Sequence, residues 1–227
     1  SEVLQEFADK VAVIPIGLDE PSYPALDECN RDLAPAAARY GRDFFLFVGV
    51  LRYYKGLHIL LDAIKDAPYN VVIVGAGPVE AELREQALRL GLDNVVFAGF
   101  VSDREKMALF QLCRAVVFPS YLRSEAFGVT LLEGAMSARP LISAEVGSGT
   151  SHVNIHGETG LVVPPGDSVA LRAAMDELYS DEHKARAMGE RARQRYETLF
   201  TGRGMGEQYA AIYAEVQAEN NTSEPRQ

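Results

Sequence analysis

The chain has 227 residues, of which 48% are hydrophobic and 24% are charged, and its formal net charge is −10 at pH 7. This length can bury one large core, and the composition excludes a low-complexity chain. No long basic run offers the footprint that phosphate backbones require, so we expect no nucleic-acid partner. The longest apolar stretch, residues 44–51, is far shorter than the about 20 residues that span a bilayer. Two cysteines are too few for a disulfide framework and favour a reducing, cytoplasmic setting.

The first forty residues lack the regular pattern of strands and helices that is typical of the start of a domain. Residues 11–14 are apolar and predict a short buried strand that ends at Pro15. Residues 17–41 are rich in Pro, Asp, Ala and Arg and predict a linker with one helical turn around residues 34–39. A lone strand before a linker suggests that the chain begins partway through a longer protein.

A regular alternation of strands and helices follows. The predicted strands are 44–48, 71–74, 95–98, 115–118, 141–143 and 161–163, and the predicted helices are 57–66, 79–90, 103–113, 168–179, 181–199 and 205–219. Strands that are apolar on both faces and separated by helices predict an α/β fold with a doubly wound parallel sheet. Ligands of such sheets bind at the carboxyl ends of the strands.

The stretch from residue 118 to residue 143 carries two carboxylates, Glu125 and Glu133, on either side of a turn at residues 127–130. A turn that leads into a helix offers backbone N–H groups to an anion. Acidic side chains beside an anion site suit the hydroxyls of a sugar or a ribose. Two alternatives remain open: Glu133 could close a capping box with Thr130, and Glu125 could be a solvated carboxylate beside Arg123.

Two cations, Arg52 and Lys55, lie in a loop after the first strand of the alternation and just before a helix. Positive charge near the amino end of a helix costs free energy unless an anion lies between the cations. A diphosphate would suit, because Arg supplies a planar fork of donors and Lys a point charge. The alternative is that both side chains are solvated.

A glycine pair after the second strand, Gly75 and Gly77, resembles a dinucleotide-binding fingerprint. Glu80 occupies the third glycine position, and no acidic residue closes the next strand, so we interpret the glycines as a tight turn or a close backbone approach to a ligand. Val101 lies in a segment that either lines a nucleobase slot or forms an ordinary packed turn. We expect His152 and His156 to be loop residues and expect no metal site, because the sequence has no D-x-D pair.

Six motifs in one order resemble a known family. They are Gly49-x-Leu51-Arg52-x-x-Lys55-Gly56, Gly75-x-Gly77, Gly99-Phe100-Val101, Pro119-Ser120, Glu125-x7-Glu133 and the segment 160–165. Together they resemble the carboxy-terminal, donor-binding domain of glycosyltransferase family 4, whose members are retaining enzymes of the GT-B fold. The sequence of residues 123–128 and 149–154 is similar to that of bacterial O-antigen mannosyl- and rhamnosyltransferases, which use GDP-sugars.

The resemblance implies roles for individual residues. Arg52 and Lys55 would hold the donor diphosphate as leaving group, Glu125 would face the transferred sugar and the reacting centre, and Glu133 would bind the ribose hydroxyls. The leaving phosphate would help to deprotonate the acceptor on the same face of the sugar. The resemblance implies further donor-binding residues. Gly75, Gly77 and Val101 would line the slot for the base, and Gly49 would lie in the same site. The sugar and the phosphate would be contacted by the backbone of Phe127, Gly128, Val129, Thr130 and Leu131.

The resemblance also implies a domain arrangement. Residues 1–40 would be the end of an amino-terminal domain and the interdomain linker, 41–200 the donor-binding domain, 201–219 a crossover helix and 220–227 a disordered tail. The amino-terminal domain, which would bind a glycan or lipid-linked acceptor, is not in this chain. We therefore expect a fragment that binds a nucleotide-sugar, GDP-sugar over UDP-sugar, without turning it over. It would need no cofactor besides this donor, and the longer protein could associate peripherally with the inner face of the cytoplasmic membrane.

Three alternatives are carried alongside this interpretation. The first is a UDP-sugar transferase of the same fold, and the second is a dinucleotide-dependent oxidoreductase domain built on Gly75 and Gly77. The third is a non-catalytic interaction domain in which Glu133 only caps a helix.

Overall fold

A computed structural model describes residues 7–26 and 32–223 of the chain. Its six strands are β1 (Phe45–Val48), β2 (Val71–Val74), β3 (Val95–Gly99), β4 (Ala115–Phe118), β5 (Leu141–Ala144) and β6 (Gly160–Val163). Its α-helices are α1 (Leu33–Tyr40), α2 (Leu57–Ala63), α3 (Glu80–Leu90), α4 (Asp103–Leu112), α5 (Val129–Met136), α6 (Thr150–Val153), α7 (Ser168–Ser180), α8 (Glu182–Leu199) and α9 (Gly202–Ser223). Short 3₁₀ turns cover Ala8–Lys10, Glu20–Ser22 and Tyr53–Lys55.

The six strands form one parallel sheet in the order β3-β2-β1-β4-β5-β6. The predicted doubly wound sheet is therefore confirmed. Because β1 has β2 on one side and β4 on the other, the chain changes its direction of winding between them. The loops that follow β1 and β4 consequently diverge and leave a crevice at the carboxyl edge of the sheet.

The apolar strands bury side chains on both faces of the sheet. Phe45 and Phe47 of β1 face one core, whereas Leu46 and Val48 face the other. This follows from the two-residue period of a strand, and it explains why the strands read as continuous apolar runs. Helices α2, α3 and α7 cover the first face, and α4, α5 and part of α8 cover the second.

The predicted strand at residues 11–14 is wrong. None of these four residues is in a strand, and Val13 is 84% exposed. A strand requires a neighbour for its backbone hydrogen bonds, and the described residues provide none for this segment. The helical turn expected around residues 34–39 is confirmed as α1.

Residues 17–26 of the predicted linker, which we call the strap, lie against the end of α8. The N–H of Leu18 donates to the carbonyl of Phe200 at 2.8 Å, and Tyr196 donates its hydroxyl to the Leu18 carbonyl at 3.0 Å. Arg193 makes a two-pronged ion pair with Glu20, at 2.7 and 2.8 Å. The strap therefore has a fixed position on the domain.

Two further differences from expectation concern the second half of the chain. The predicted loop between β5 and β6 contains a helical turn, α6, and the last helix runs to Ser223, so the tail predicted from residue 220 is helical in its first four residues. Residues 224–227 lie outside the described part. None of the described helices is long and apolar enough to span a bilayer.

The glycines at the carboxyl edge allow neighbouring loops to touch. Gly49 donates its N–H to the Val74 carbonyl at 3.0 Å. A Cβ on Gly75 would lie 2.0 Å from the Gly49 oxygen, and one on Gly77 would lie 2.3 Å from the Leu51 oxygen. The close backbone approach expected for this pair is thus an approach to the protein itself.

Replacing Gly77 with Ala should therefore destabilise the fold by about 1 to 3 kcal/mol, because the backbone of Leu51 must move to admit the methyl group. Chemical denaturation measures this loss. Gly206→Ala is the control, since nothing lies within 4 Å of a Cβ there and it is in an exposed helix, so about 0.5 to 1 kcal/mol of stabilisation is expected. Equal effects of the two changes would contradict the packing argument.

Candidate functional site

The loops after β1 and β4 meet at the carboxyl edge of the sheet. A Cβ on Gly56, which follows the turn Tyr53–Lys55, would lie 2.1 Å from the Pro119 oxygen, and the N–H of Tyr121 donates to the Tyr54 carbonyl at 3.1 Å. The cationic loop and the acidic loop predicted from the sequence are therefore direct neighbours at the point where ligands of such sheets bind.

Lys55 and Glu125 form an ion pair between these loops. The Lys55 ammonium contacts Glu125 Oε2, and Ser120 donates its hydroxyl to the same oxygen at 3.0 Å. Glu125 is only 8% exposed, and the Lys55 nitrogen lies 4.7 Å from the centre of the Phe118 ring. The alternative of a solvated Glu125 is therefore wrong.

Glu133 forms a second buried pair, with Lys106 of α4. The Lys106 Nζ to Glu133 Oε1 distance is 2.8 Å, and Asp103 lies 3.3 Å from the same nitrogen. Burial lowers the pKa of Lys106, but Glu133 and Asp103 raise it by more, so the net shift is upward. Lys106 is therefore a cation at neutral pH.

The capping-box alternative for Glu133 is wrong. Helix α5 starts at Val129 and its N-cap is Gly128, so Thr130 is already helical and Glu133 lies beyond the first turn. Thr130 instead donates its hydroxyl to the Val48 carbonyl at 3.0 Å, which fixes the start of α5 against the end of β1.

Residues 127–131 form the turn and first helical residues that the sequence indicated. Gly128 has a φ of 86°, and a Cβ there would press on the Phe118 ring at 3.1 Å, so glycine suits this turn. Phe127 packs on the neighbouring loop, where a Cβ on Gly149 would meet its ring at 2.5 Å. The N–H of Leu131 already donates to the Gly128 carbonyl at 2.9 Å, so it is less available to a ligand than the N–H groups before it.

Arg52 lies apart from the other predicted charged groups. Its exposed side chain lines a cleft of about 270 Å³ between α2 and α3, with Tyr53, His58 and Arg89. It makes no hydrogen bond or ion pair with any other described residue. The expected pair of cations around an open anion position is thus not observed. Glu125 neutralises Lys55, so the positive charge of Lys55 near the start of α2 does not require a bound anion.

A small, mostly apolar slot of about 230 Å³ opens at the ends of β1 and β2. Phe100, 86% exposed, lies at its rim, and Lys106 supplies a charged wall. Gly77 is not among the lining residues, since it packs on Leu51. The other lining residues are Val48, Gly49, Val50, Val74, Gly75, Ala76 and Val101.

Other cavities larger than the slot lie elsewhere. One, of about 570 Å³, lies between the strap and helices α4 and α5, and another, of about 330 Å³, lies at the opposite edge of the sheet beside Asp43 and Arg114. A third, of about 310 Å³, lies beside Arg191 and Arg195 of α8. None of them brings together the side chains that follow β1 and β4, and ligands of doubly wound sheets bind at the carboxyl edge. We therefore place the candidate site at the slot and the two buried pairs.

Sequence reasoning missed Lys106 and the contact of Ser120 with Glu125. Lys106 falls on the same helical stripe as Leu109, Phe110 and Cys113, all of which are buried. A lysine on an apolar stripe is a signal that a buried partner exists, and it could have been read from the spacing. Its partner, Glu133, is 27 residues away and could not be identified from the spacing.

The doubly wound sheet and the charged crevice at its switch point define a Rossmann-like domain of the kind that binds nucleotides at this edge. The family model for group 1 glycosyl transferases matches residues 31–195. The chain belongs to this family, which confirms the resemblance read from the motifs.

Two curated relatives are similar over most of the chain. It is 56% identical over 201 residues to the D-rhamnosyltransferase WbpZ of Pseudomonas aeruginosa, covering 88% of this chain and 52% of that protein. It is 51% identical over 213 residues to the O-antigen chain mannosyltransferase C of Escherichia coli, covering 94% and 57%. The chain therefore spans about half the length of these relatives.

Solved structures of the GT-B fold superpose on the domain. HepE of Anabaena, in complex with UDP and glucose, matches with a TM-score of 0.79 at 26% identity, covering 91% of this chain and 57% of that one. The C-terminal domain of a group 1 glycosyl transferase from Francisella tularensis matches with a TM-score of 0.69 at 20% identity, covering 82% and 100%. The second likeness concerns the fold alone.

Replacing Lys106 with Met should destabilise the protein by about 2 to 4 kcal/mol, because it leaves the carboxylate of Glu133 buried without its cation. Urea unfolding at neutral pH measures the loss. Lys184→Met is the matched control: Lys184 pairs with Glu177 at 2.7 Å, but both side chains are 42% exposed, so little change is expected. A Lys106 variant as stable as this control would show that the buried pair is not a structural requirement.

Proposed function

We propose that this chain binds the nucleotide-sugar donor of a hexosyltransferase, with a GDP-sugar of the mannose or rhamnose class as donor. The observation that carries the proposal is the pair of buried carboxylate–ammonium contacts, Lys55 with Glu125 and Lys106 with Glu133, at the switch point of the sheet. Each pair offers one group suited to hydroxyls and one suited to an anion or an acceptor atom.

The relatives support the chemistry at the level of sugar transfer. Two proteins more than half identical to this chain are named as a rhamnosyltransferase and a mannosyltransferase, and HepE, a more distant neighbour, was crystallised with UDP and with UDP-glucose. These names support transfer of a hexose to a bacterial O-antigen or similar glycan. The acceptor would bind to a part of the longer protein that this chain does not include.

In the proposed reaction the diphosphate competes with Glu125 for the ammonium of Lys55. The side chain of Arg52, which has no hydrogen bond or ion pair among the described residues, would turn from its cleft to form the second contact. Together they would stabilise the negative charge that develops on the departing diphosphate. Glu125, released from Lys55 and still held by Ser120, would then face the hydroxyls of the sugar.

We infer that transfer proceeds with retention of configuration and without a metal ion. The two cations would take over the charge neutralisation that a divalent ion provides in other enzymes. Glu133 would accept hydrogen bonds from the ribose hydroxyls while Lys106 stays in contact with its other oxygen. We place this chemistry in the cytoplasm, with peripheral association of the longer protein at the inner membrane face.

The mostly apolar walls of the slot favour guanine over uracil, because the larger purine ring buries more apolar surface against them. UDP-sugar use remains the second candidate, because HepE was crystallised with UDP.

The oxidoreductase alternative loses its support. Glu80, which stands where a third glycine is required, opens α3 and pairs with Arg84 at 2.8 Å. The family match assigns the same residues to a glycosyl transferase.

Titration calorimetry of the chain with GDP, UDP, NAD and FAD tests the proposal. We expect GDP to bind at least tenfold more tightly than UDP, which corresponds to about 1.4 kcal/mol, and expect no measurable heat from NAD or FAD. Tighter binding of UDP would favour the second candidate. Binding of NAD or FAD alone would overturn the glycosyltransferase proposal.

Arg52→Ala should weaken GDP about tenfold or more and leave guanosine nearly unaffected, because a charge-assisted contact to a phosphate contributes about 1.5 to 3 kcal/mol. The same calorimetric titrations measure both ligands. Arg89→Ala is the control, since Arg89 lines the same cleft but is not assigned to the diphosphate. Equal weakening of GDP and guanosine would remove Arg52 from the phosphate.

A further inference from the structure

Tyr23 of the strap reaches the ion pair that we assign to the ribose. Its half-buried ring lies 5.4 Å from the Lys106 nitrogen, measured to the ring centre. Lys106 in turn contacts Glu133 Oε1 at 2.8 Å, so the ring of Tyr23 lies at this ion pair. Burial first, and the charge of Glu133 next, raise the pKa of Tyr23 far above its ordinary value. The phenol is therefore protonated at neutral pH and has a proton to donate.

The position of Tyr23 is fixed by contacts on the same short segment. Leu18 and Glu20, five and three residues before it, are held on α8 by the hydrogen bonds and the ion pair described above. Ser22 closes the turn just before Tyr23 by donating its hydroxyl to the Asp19 carbonyl at 2.6 Å. The ring is thus carried by an anchored turn.

We propose that Tyr23 is a positioning residue for Glu133, one that fixes the carboxylate in the orientation that receives the ribose hydroxyls. The proposal rests on the function proposed above. Lys106 occupies Oε1 of Glu133 at 2.8 Å. A carboxylate held at one oxygen can still turn, and a hydrogen bond from the phenol of Tyr23 would remove that freedom. The second oxygen then stays directed towards the ligand.

A ligand pair isolates this role. GDP and 2′,3′-dideoxy-GDP share the base and the diphosphate and differ only in the hydroxyls that Glu133 would grasp. We expect the wild-type chain to bind GDP at least tenfold more tightly than the dideoxy analogue. Tyr23→Phe should reduce this ratio to about threefold or less and leave the dissociation constant of the dideoxy analogue within twofold of wild type. Titration calorimetry gives all four constants.

Tyr40→Phe is a matched control, because Tyr40 is also a tyrosine whose hydroxyl donates to a carboxylate, Glu105, at 3.0 Å on α4. We expect it to keep the wild-type ratio. A Tyr23→Phe variant that keeps the wild-type ratio, or that weakens both ligands equally, would overturn the positioning role. A wild-type chain that binds both ligands equally would instead overturn the assignment of Glu133 to the ribose.

A double variant makes the test independent of any general loss of packing. Glu133→Gln alone should bring the ratio close to one. Adding Tyr23→Phe to Glu133→Gln should then change the ratio no further, because the phenol acts through the carboxylate. A further loss of the same size as in the single Tyr23→Phe variant would mean that Tyr23 acts on the ligand by another route, and would overturn the proposal.

Discussion

Two carboxylates are buried at the carboxyl edge of this sheet, and each requires a cation. An isolated ionised acid in a protein interior costs several kcal/mol, so Glu125 and Glu133 are stable there only with Lys55 and Lys106 in contact. The cations come from the loop after β1 and from α4, and the acids from the loop after β4 and from α5. The pairs thus connect four segments at the place where the winding of the sheet reverses.

This constraint gives the site a defined arrangement of charges. The protein's own ion pairs occupy the positions that the proposed ligand would use: Glu125 contacts Lys55, which we propose binds the diphosphate, and Lys106 contacts Glu133 beside the slot. Binding of a nucleotide-sugar would therefore exchange partners among charges that are already desolvated. Such an exchange spares the protein's own charges a further desolvation cost, whereas Arg52 would have to leave its cleft to take part.

The sequence was sufficient to predict the strands of the sheet, but it did not show which neighbours each apolar segment contacts. Continuous apolar runs such as residues 71–74 and 115–118 are typical of strands buried on both faces, and the helices between them left few alternatives. The segment at residues 11–14 has the same composition but no neighbour among the described residues, and composition alone does not report that difference. Glycine and serine come just before α6, and the helix itself contains serine and histidine, so composition did not indicate this single helical turn.

Within the site, chemistry was easier to predict than geometry. Residue types and spacing identified Glu125, Glu133, Lys55 and the glycine turns. The pairing of Lys55 with Glu125 joins residues 70 positions apart, and the contact of Tyr23 with Lys106 spans 83, so neither follows from local pattern. The family match confirms the class of protein, whereas the donor and the roles of these residues are the proposals made above.

A crystal structure of the chain with GDP bound tests the central claim most directly. The account predicts the diphosphate against Lys55 and Arg52, with Lys55 no longer bonded to Glu125, the ribose hydroxyls on Glu133, and the base in the slot beside Lys106. A nucleotide bound at the opposite edge of the sheet, or one that leaves both buried pairs intact and untouched, would contradict it.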